Sequence, residues 1–216
     1  MNIIKMNLRT IRFHLAWKRA CLALNLVFFC VVQMSALNAA EENRFLTGQF
    51  LVATPEMRDP RFVESVIYLV KHDADGAFGL VINRPIARGP LRDLLKGFGI
   101  ENENAKGDII LHYGGPVGPS QGFVLHTDDY LVDTSTLVKD GIAMTADAKL
   151  IEAISSGKGP QRFLVFIGYA GWSPGQLEGE LQAQSWFTIP GDKSLLFDKD
   201  AEKKWRQAMD RRKIAL

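Results

Sequence analysis

The stretch that most constrains this chain runs from residue 163 to residue 178. A short apolar run, Phe163 to Ile167, leads into Gly168-Tyr169-Ala170-Gly171-Trp172 and then Ser173-Pro174-Gly175-Gln176-Leu177-Glu178. An aromatic and β-branched run ending at glycine reads as a buried strand. Ser173, with Pro174 next and Gln176 three residues on, reads as a helix start. The hydroxyl caps, the proline ring already holds a helical φ, and the amide returns the cap. Between them, Gly168 and Gly171 permit a turn whose corner Tyr169 and Trp172 can pack. The letters Gly171-Trp172-Ser173-Pro174-Gly175 also match a nucleophile elbow. That reading needs Ser173 at a strained strand-to-helix turn with a partner such as His112 or His126, whereas the cap gives Ser173 structural work.

The rest of the chain is mostly strands. Runs at 50–53, 65–71, 78–83, 109–113, 123–126 and 186–189 read as strands, with a further short one within 129–138. The runs at 65–71 and 78–83 flank Asp73-Ala74-Asp75-Gly76 and should pair as an antiparallel hairpin. Helices are expected at 90–98, at 145–154 with Thr145 as cap and Gly157 closing it, after Ser173, and at 200–211 with Asp200 as cap. Helices are interspersed without strict alternation. The expected fold is therefore α+β: a single compact domain, residues 41–216, with a mixed, largely antiparallel sheet and flanking helices.

Residues 1–40 differ in kind. Lys5, Arg9, Arg12, Lys18 and Arg19 come first with no acid among them. An apolar run from 20 to 32 follows, broken only by Asn25, and then Ser35, Ala36, Ala39 and Ala40. That order is a secretory signal, and the run is too short for a comfortable membrane span. It predicts a periplasmic or envelope protein with no membrane span after leader cleavage. Translation from Met34 would instead leave a cytoplasmic domain, and an uncleaved membrane anchor is the third reading of the segment. Both cysteines, Cys21 and Cys30, lie in this run, which excludes disulfides, thiolate metal sites and cysteine nucleophiles from the domain. Without the leader the chain has 21 basic against 24 acidic residues, a net charge of −3. A mildly acidic domain is a poor nonspecific binder of nucleic acid, which depends on neutralising phosphates.

Several smaller motifs invite chemistry. Gly114-Gly115-Pro116-Val117-Gly118-Pro119 could approach a ligand, but prolines interrupt it and a strand follows, so it reads as a turn and not a phosphate cradle. Arg84, in Asn83-Arg84-Pro85, could grip a carboxylate or phosphate in bidentate fashion, or pair with a local acid such as Glu178. Asn83 suits the backbone groups of a turn. His72, His112 and His126 sit at strand ends without metal-ligand spacing. Glu178 and Glu180, two apart, cannot share a helical face. Lys203, Lys204, Arg206, Arg211, Arg212 and Lys213 read as a solvated face that complements a helix dipole. The candidate ligand site or structural corner is Asn83, Arg84, His112, Gly114, Gly115, Tyr169 and Trp172. No catalytic residue, cofactor or metal is assigned.

Taken in order, these pieces resemble the AlgH/YqgE family of bacterial proteins. The matching segments are 48–55 with Met57 and Asp59, Ser65 to Leu69 with His72, 76–85, Gly114 to Val117, Gly122 to His126, Gly168 to Trp172, and Gly175 to Glu178 with Glu180 and Trp186. They span roughly Arg44 to Ala208. Two departures stand out: the leader is unusual, and Val70 stands where relatives often carry cysteine, removing any redox role there. The resemblance implies a compact α+β fold without established enzyme activity. One member's name comes from a proposed role in regulating alginate production. Together these point to a non-enzymatic regulatory or binding protein with a protein partner. The alternative is a small-ligand or anion binder, or a hydrolase, with a pocket around the glycine-rich turns. A direct DNA-binding regulator fits neither the acidic domain nor the absence of a helix-turn-helix.

Overall fold

A computed structural model describes residues 45–97, 99–103 and 105–214. By its contacts the chain divides into two units, Met1–Phe45 and Leu46–Leu216, and the second carries every element below. The leader-like segment lies outside the described residues. The strands are β1 (Gln49–Ala53), β2 (Val66–Asp73), β3 (Gly76–Val81), β4 (Pro85–Pro90), β5 (Asp108–Tyr113), β6 (Val117–Thr127), β7 (Thr136–Lys139), β8 (Ile142–Thr145), β9 (Phe163–Trp172) and β10 (Trp186–Pro190). The helices are α1 (Leu91–Gly97), α2 (Ala148–Ser155), α3 (Gln176–Gln182), α4 (Lys193–Leu196) and α5 (Lys204–Ile214). The strand order is β10-β1-β2-β3-β9-β6-β8-β7, with β5 beside β9 and β4 beyond β5. Only the β5–β9 pair is parallel among these ladders, so the sheet is mixed and largely antiparallel. It curls far enough for Lys139, on β7, to lie over Gly48, just before β1.

Period-2 alternation sorts the side chains into layers. Phe50, Val52, Tyr68, Val70, Leu80 and Ile82 face the concave core, where Leu125, Phe166 and Ala208 meet them. Leu51, Ala53, Ile67, Leu69 and Val81 face the other way, towards Leu177 of α3. Val124 and Val165 turn outward beneath Leu91 and Leu95 of α1 and Leu150 and Ile151 of α2.

β9 is the strand on which this arrangement turns. The expected turn after Ile167 is not a turn, because the strand continues to Trp172. Up to that point the even-numbered Leu164 and Phe166 face the concave core. Beyond Gly168 the odd-numbered Tyr169 does so, and Ala170 and Trp172 face α3. Gly168 adopts φ +70 and inverts the alternation, as an inserted residue does in a β-bulge. The strand changes neighbours there too. Tyr113 of β5 pairs with Ile167, and Gly79 of β3 pairs with Ala170.

The helix that follows begins at Gln176, later than expected. Gly175 holds the cap position in a left-handed conformation, so the Ser173 hydroxyl caps nothing. The return half of the capping box is present: Gln176 Oε1 accepts from the Ser173 N–H at 3.1 Å. Thr145 is likewise no cap. It ends β8, and Asp147 caps α2 through the Lys149 N–H. Asp200 does accept from the Lys203 N–H at 3.3 Å, and α5 starts at Lys204. β4 and β8 were not anticipated. Within 129–138 the strand is confined to the final residues, as the start of β7.

Lys204 departs furthest from expectation. It is not on a solvated face but fully buried. Its Nζ donates to the Leu196 carbonyl at 2.7 Å and to the Ile82 carbonyl at 3.1 Å. Burial pushes its pKa down to about 8. Between about 8 and the ordinary value of 10.5, the unfolded chain holds a proton that the folded chain has lost, so stability rises with pH across that window. Relative to Lys204→Met, the wild-type protein should gain on the order of 3 kcal/mol as pH rises from 8 to above 10. Urea denaturation of both proteins across this range checks it, and a constant difference would refute the buried amine.

Candidate functional site

Glycine governs the corner that the sequence singled out. The β5–β6 connection crosses the bend of β9 backbone against backbone. A Cβ on Gly114 would lie 2.1 Å from the Gly168 carbonyl oxygen, and one on Gly115 would lie 2.2 Å from the Tyr169 carbonyl carbon. Gly114 N–H donates to Ile167 O at 2.9 Å, and its carbonyl accepts from Val81 N–H at 2.9 Å. The backbone groups of this loop thus close the sheet. Tyr169 stacks 4.7 Å from Phe78 and meets Phe123 edge-on at 5.9 Å.

The other candidates are dispersed. Asn83 Oδ1 accepts from Val66 N–H at 2.9 Å and its Nδ2 donates to Glu64 O at 2.8 Å, so it does satisfy neighbouring backbone. Arg84 donates to Val63 O at 2.7 Å and does not pair with Glu178. Glu178 instead accepts from His72 Nε2 at 3.1 Å; the Leu46 N–H at Nδ1 fixes that tautomer. His112 donates from Nδ1 to Val165 O at 3.2 Å, and burial lowers its pKa. His126 donates from Nδ1 to Thr127 O and accepts from the Thr145 hydroxyl at Nε2, and burial lowers its pKa as well. The three imidazoles therefore serve three separate places. Among the described residues no group of three or more His, Cys, Asp and Glu could hold a metal ion.

Of the seven candidates, Trp172 lines a cleft of about 630 Å³, and Tyr169 joins it only in a shallower one of about 420 Å³. The walls of the larger cleft come from the β1–β2 loop with Arg58, Arg61 and Phe62, from Val117, from α3, and from the α3–β10 loop up to Trp186. Trp172 and Trp186 meet edge-on at 6.3 Å, and Phe62 meets Trp186 likewise at 5.6 Å. Both indoles donate from Nε1 to one oxygen of Glu180, at 2.9 Å from Trp172 and 2.8 Å from Trp186. Gln176 Nε2 donates to the other oxygen at 2.9 Å. One carboxylate thus ties the end of β9, the start of β10 and α3. At the mouth, Asp59 grips Arg61 with both oxygens, and this holds its carboxyl below the usual range. Arg58 makes no ion pair among the described residues.

Glu180, Trp186, Phe62 and Arg58 were not among the site candidates, although Glu180 and Trp186 stand in the family-matching segments. A signal was there: two tryptophans flank one short helix, and a buried indole N–H seeks an acceptor. Glu180 is the carboxylate between them.

The comparisons with known proteins agree with this architecture of one α+β domain with a curled, largely antiparallel sheet and flanking helices. The chain belongs to the AlgH-like family, whose model matches residues 50–216. A UPF0301 protein of Methylococcus capsulatus is 47% identical over 163 residues, covering 76% of this chain and 89% of the relative. A UPF0301 protein of Caulobacter vibrioides is 45% identical over 179 residues, covering 82% and 91%. The solution structure of the AlgH protein from Pseudomonas aeruginosa superposes with a TM-score of 0.68 at 38% identity, over 77% of this chain and 88% of that one.

Glu180→Ala strands three donors at once. Each unsatisfied buried group costs about 1–3 kcal/mol, and the two indoles are nearly buried, so a loss of about 2–4 kcal/mol is expected, with Glu180→Gln intermediate because one oxygen remains. Urea unfolding followed by tryptophan fluorescence measures both.

Proposed function

We propose that this domain is a non-enzymatic binding protein of regulatory type whose ligand seats in the aromatic cleft beside Trp172. The state of Glu180 carries this reading. Three donors hold its two oxygens between a pair of indoles. A carboxylate so engaged shapes a pocket better than it shuttles protons, a task that needs free access to the reacting group. The cleft's volume is that of an ordinary ligand site, and its lining divides about evenly between apolar and polar residues. Met57, Phe62 and Val117 supply apolar surface, and Arg58 and Glu56 supply one charge of each sign. The matching ligand has an apolar body and polar groups.

Val117 is 39% exposed, so Val117→Arg should obstruct the cleft and leave the core intact. In a thermal-shift screen of nucleotides, phosphorylated metabolites and short peptides, a true ligand should stabilise the wild-type protein and not Val117→Arg. A ligand at 100 times its Kd adds about 2.7 kcal/mol. No shift with any member, or a shift that survives the substitution, counts against the cleft.

We further propose that the domain works in the cell envelope. The basic, apolar and small-residue order of residues 1–40 supports this. Among the described residues no helix is long and apolar enough to cross a membrane. N-terminal sequencing of the protein from cells should find Ala40 or Glu41 first, and a product beginning at Met34 would place the domain in the cytoplasm instead.

A further inference from the structure

Among the described residues, β10 is an edge strand whose outward backbone groups are unspent. β10 pairs with β1 alone. Thr54 N–H donates to Ser185 O at 3.0 Å, and the bonded pairs of an antiparallel ladder recur at every second residue. Phe187 and Ile189 therefore turn their backbone groups towards β1, and Trp186 and Thr188 turn theirs outward. Among the described residues no hydrogen bond reaches these outward groups. The other edges are guarded in the ways exposed strands usually are. β4 begins and ends with proline. β7 is four residues long and ends on Lys139, packed over Gly48.

An open groove of about 640 Å³ runs beside β10, walled by Phe187, Ile189 and Pro190 and, from α5, by Arg211 and Arg212. Arg211 is bound to Asp192. The Arg212 guanidinium lies 4.6 Å above the Phe187 ring and has no carboxylate partner among the described residues. The groove thus offers apolar surface, two outward-facing peptide units and one uncompensated positive charge.

We propose that this edge is a docking site for an extended acidic segment of a partner protein, which joins the sheet as a strand beside β10. Main-chain bonds to Trp186 and Thr188 hold the segment whatever its sequence, alternate side chains enter the groove, and a carboxylate meets Arg212 in its fork geometry. The site stands apart from the aromatic cleft. The two share only Trp186, whose indole faces the cleft and whose backbone faces the edge.

The probe is a fluorescein-labelled peptide, Glu-Thr-Val-Thr-Val-Thr-Glu, with the peptide carrying Lys for Glu as control. Both are titrated against the full chain by fluorescence anisotropy, and amide exchange is followed in parallel. The acidic peptide should bind saturably and slow exchange at Trp186 and Thr188 at least tenfold. Arg212→Glu should weaken binding at least tenfold. Thr188→Pro, which removes an outward N–H and no ladder bond to β1, should abolish it. Equal binding of the lysine peptide, protection confined to other amides, or no binding of either peptide overturns the proposal. So does concentration-dependent protection of these amides without peptide, which would make the edge a contact between copies of this chain.

Discussion

The fold depends on the place where two segments of backbone touch. Gly114 and Gly115 lie against Gly168 and Tyr169 so closely that a single Cβ on any of the three glycines would fall within 2.4 Å of a backbone atom. Real side chains cannot occupy that space, and no rotamer relieves a clash that starts at Cβ. The contact allows β9 to bend, exchange β5 for β3 along one edge, and invert which of its residues face inward. A strand whose register slips by one residue ordinarily buries its polar face. Here the slip is put to use. Phe166 and Tyr169 both reach the concave core, and Trp172 is delivered to the opposite side beneath α3.

The aromatic cleft is a consequence of that inversion. With strict alternation from Phe166, Trp172 would stand with the concave core and its indole could not reach Glu180. The bend places it beside Trp186, which arrives from the far end of α3, and Glu180 closes the arrangement by accepting from both. Two indole donors on a single oxygen fix the spacing of three elements more tightly than apolar contact alone, because hydrogen bonds have preferred directions and dispersion contacts do not.

Much of this was legible in the sequence, for reasons that differ between elements. β1, β2 and the β2–β3 hairpin carry dense β-branched and aromatic runs between recognisable turns, and they form as read. β4 was hidden because Pro85, Arg88 and Pro90 spoil a strand pattern that survives only at an exposed edge. The β9 segment was misread because glycines at 168 and 171 signal a turn locally. That they serve a crossing strand is set by residues more than fifty positions away. The cap at Ser173 failed for a similar reason: Gly175 starts the helix two residues later, while Gln176 keeps its half of the motif. In the candidate set, Gly114, Gly115 and Tyr169 converge on the crossing, Trp172 reaches the cleft, and Asn83, Arg84 and His112 are bonded to backbone elsewhere.

Lys204 shows the limit of reading charge as exposure. Five other basic residues surround it in sequence, and nothing local distinguishes it. What selects it is geometry across the fold: the Ile82 carbonyl lies just past β3 and the Leu196 carbonyl ends α4, at the point where α5 covers the core. A methionine would fill the volume and leave both carbonyls without donors. A neutral amine has two N–H groups for two acceptors, whereas an ammonium brings a third donor and a charge into an apolar site. The site's burial, which penalises the charged form, lowers the pKa. It also explains why the residue is useful as a structural pin: it satisfies two elements at once, and its long stem carries the nitrogen past apolar neighbours that no shorter donor could cross.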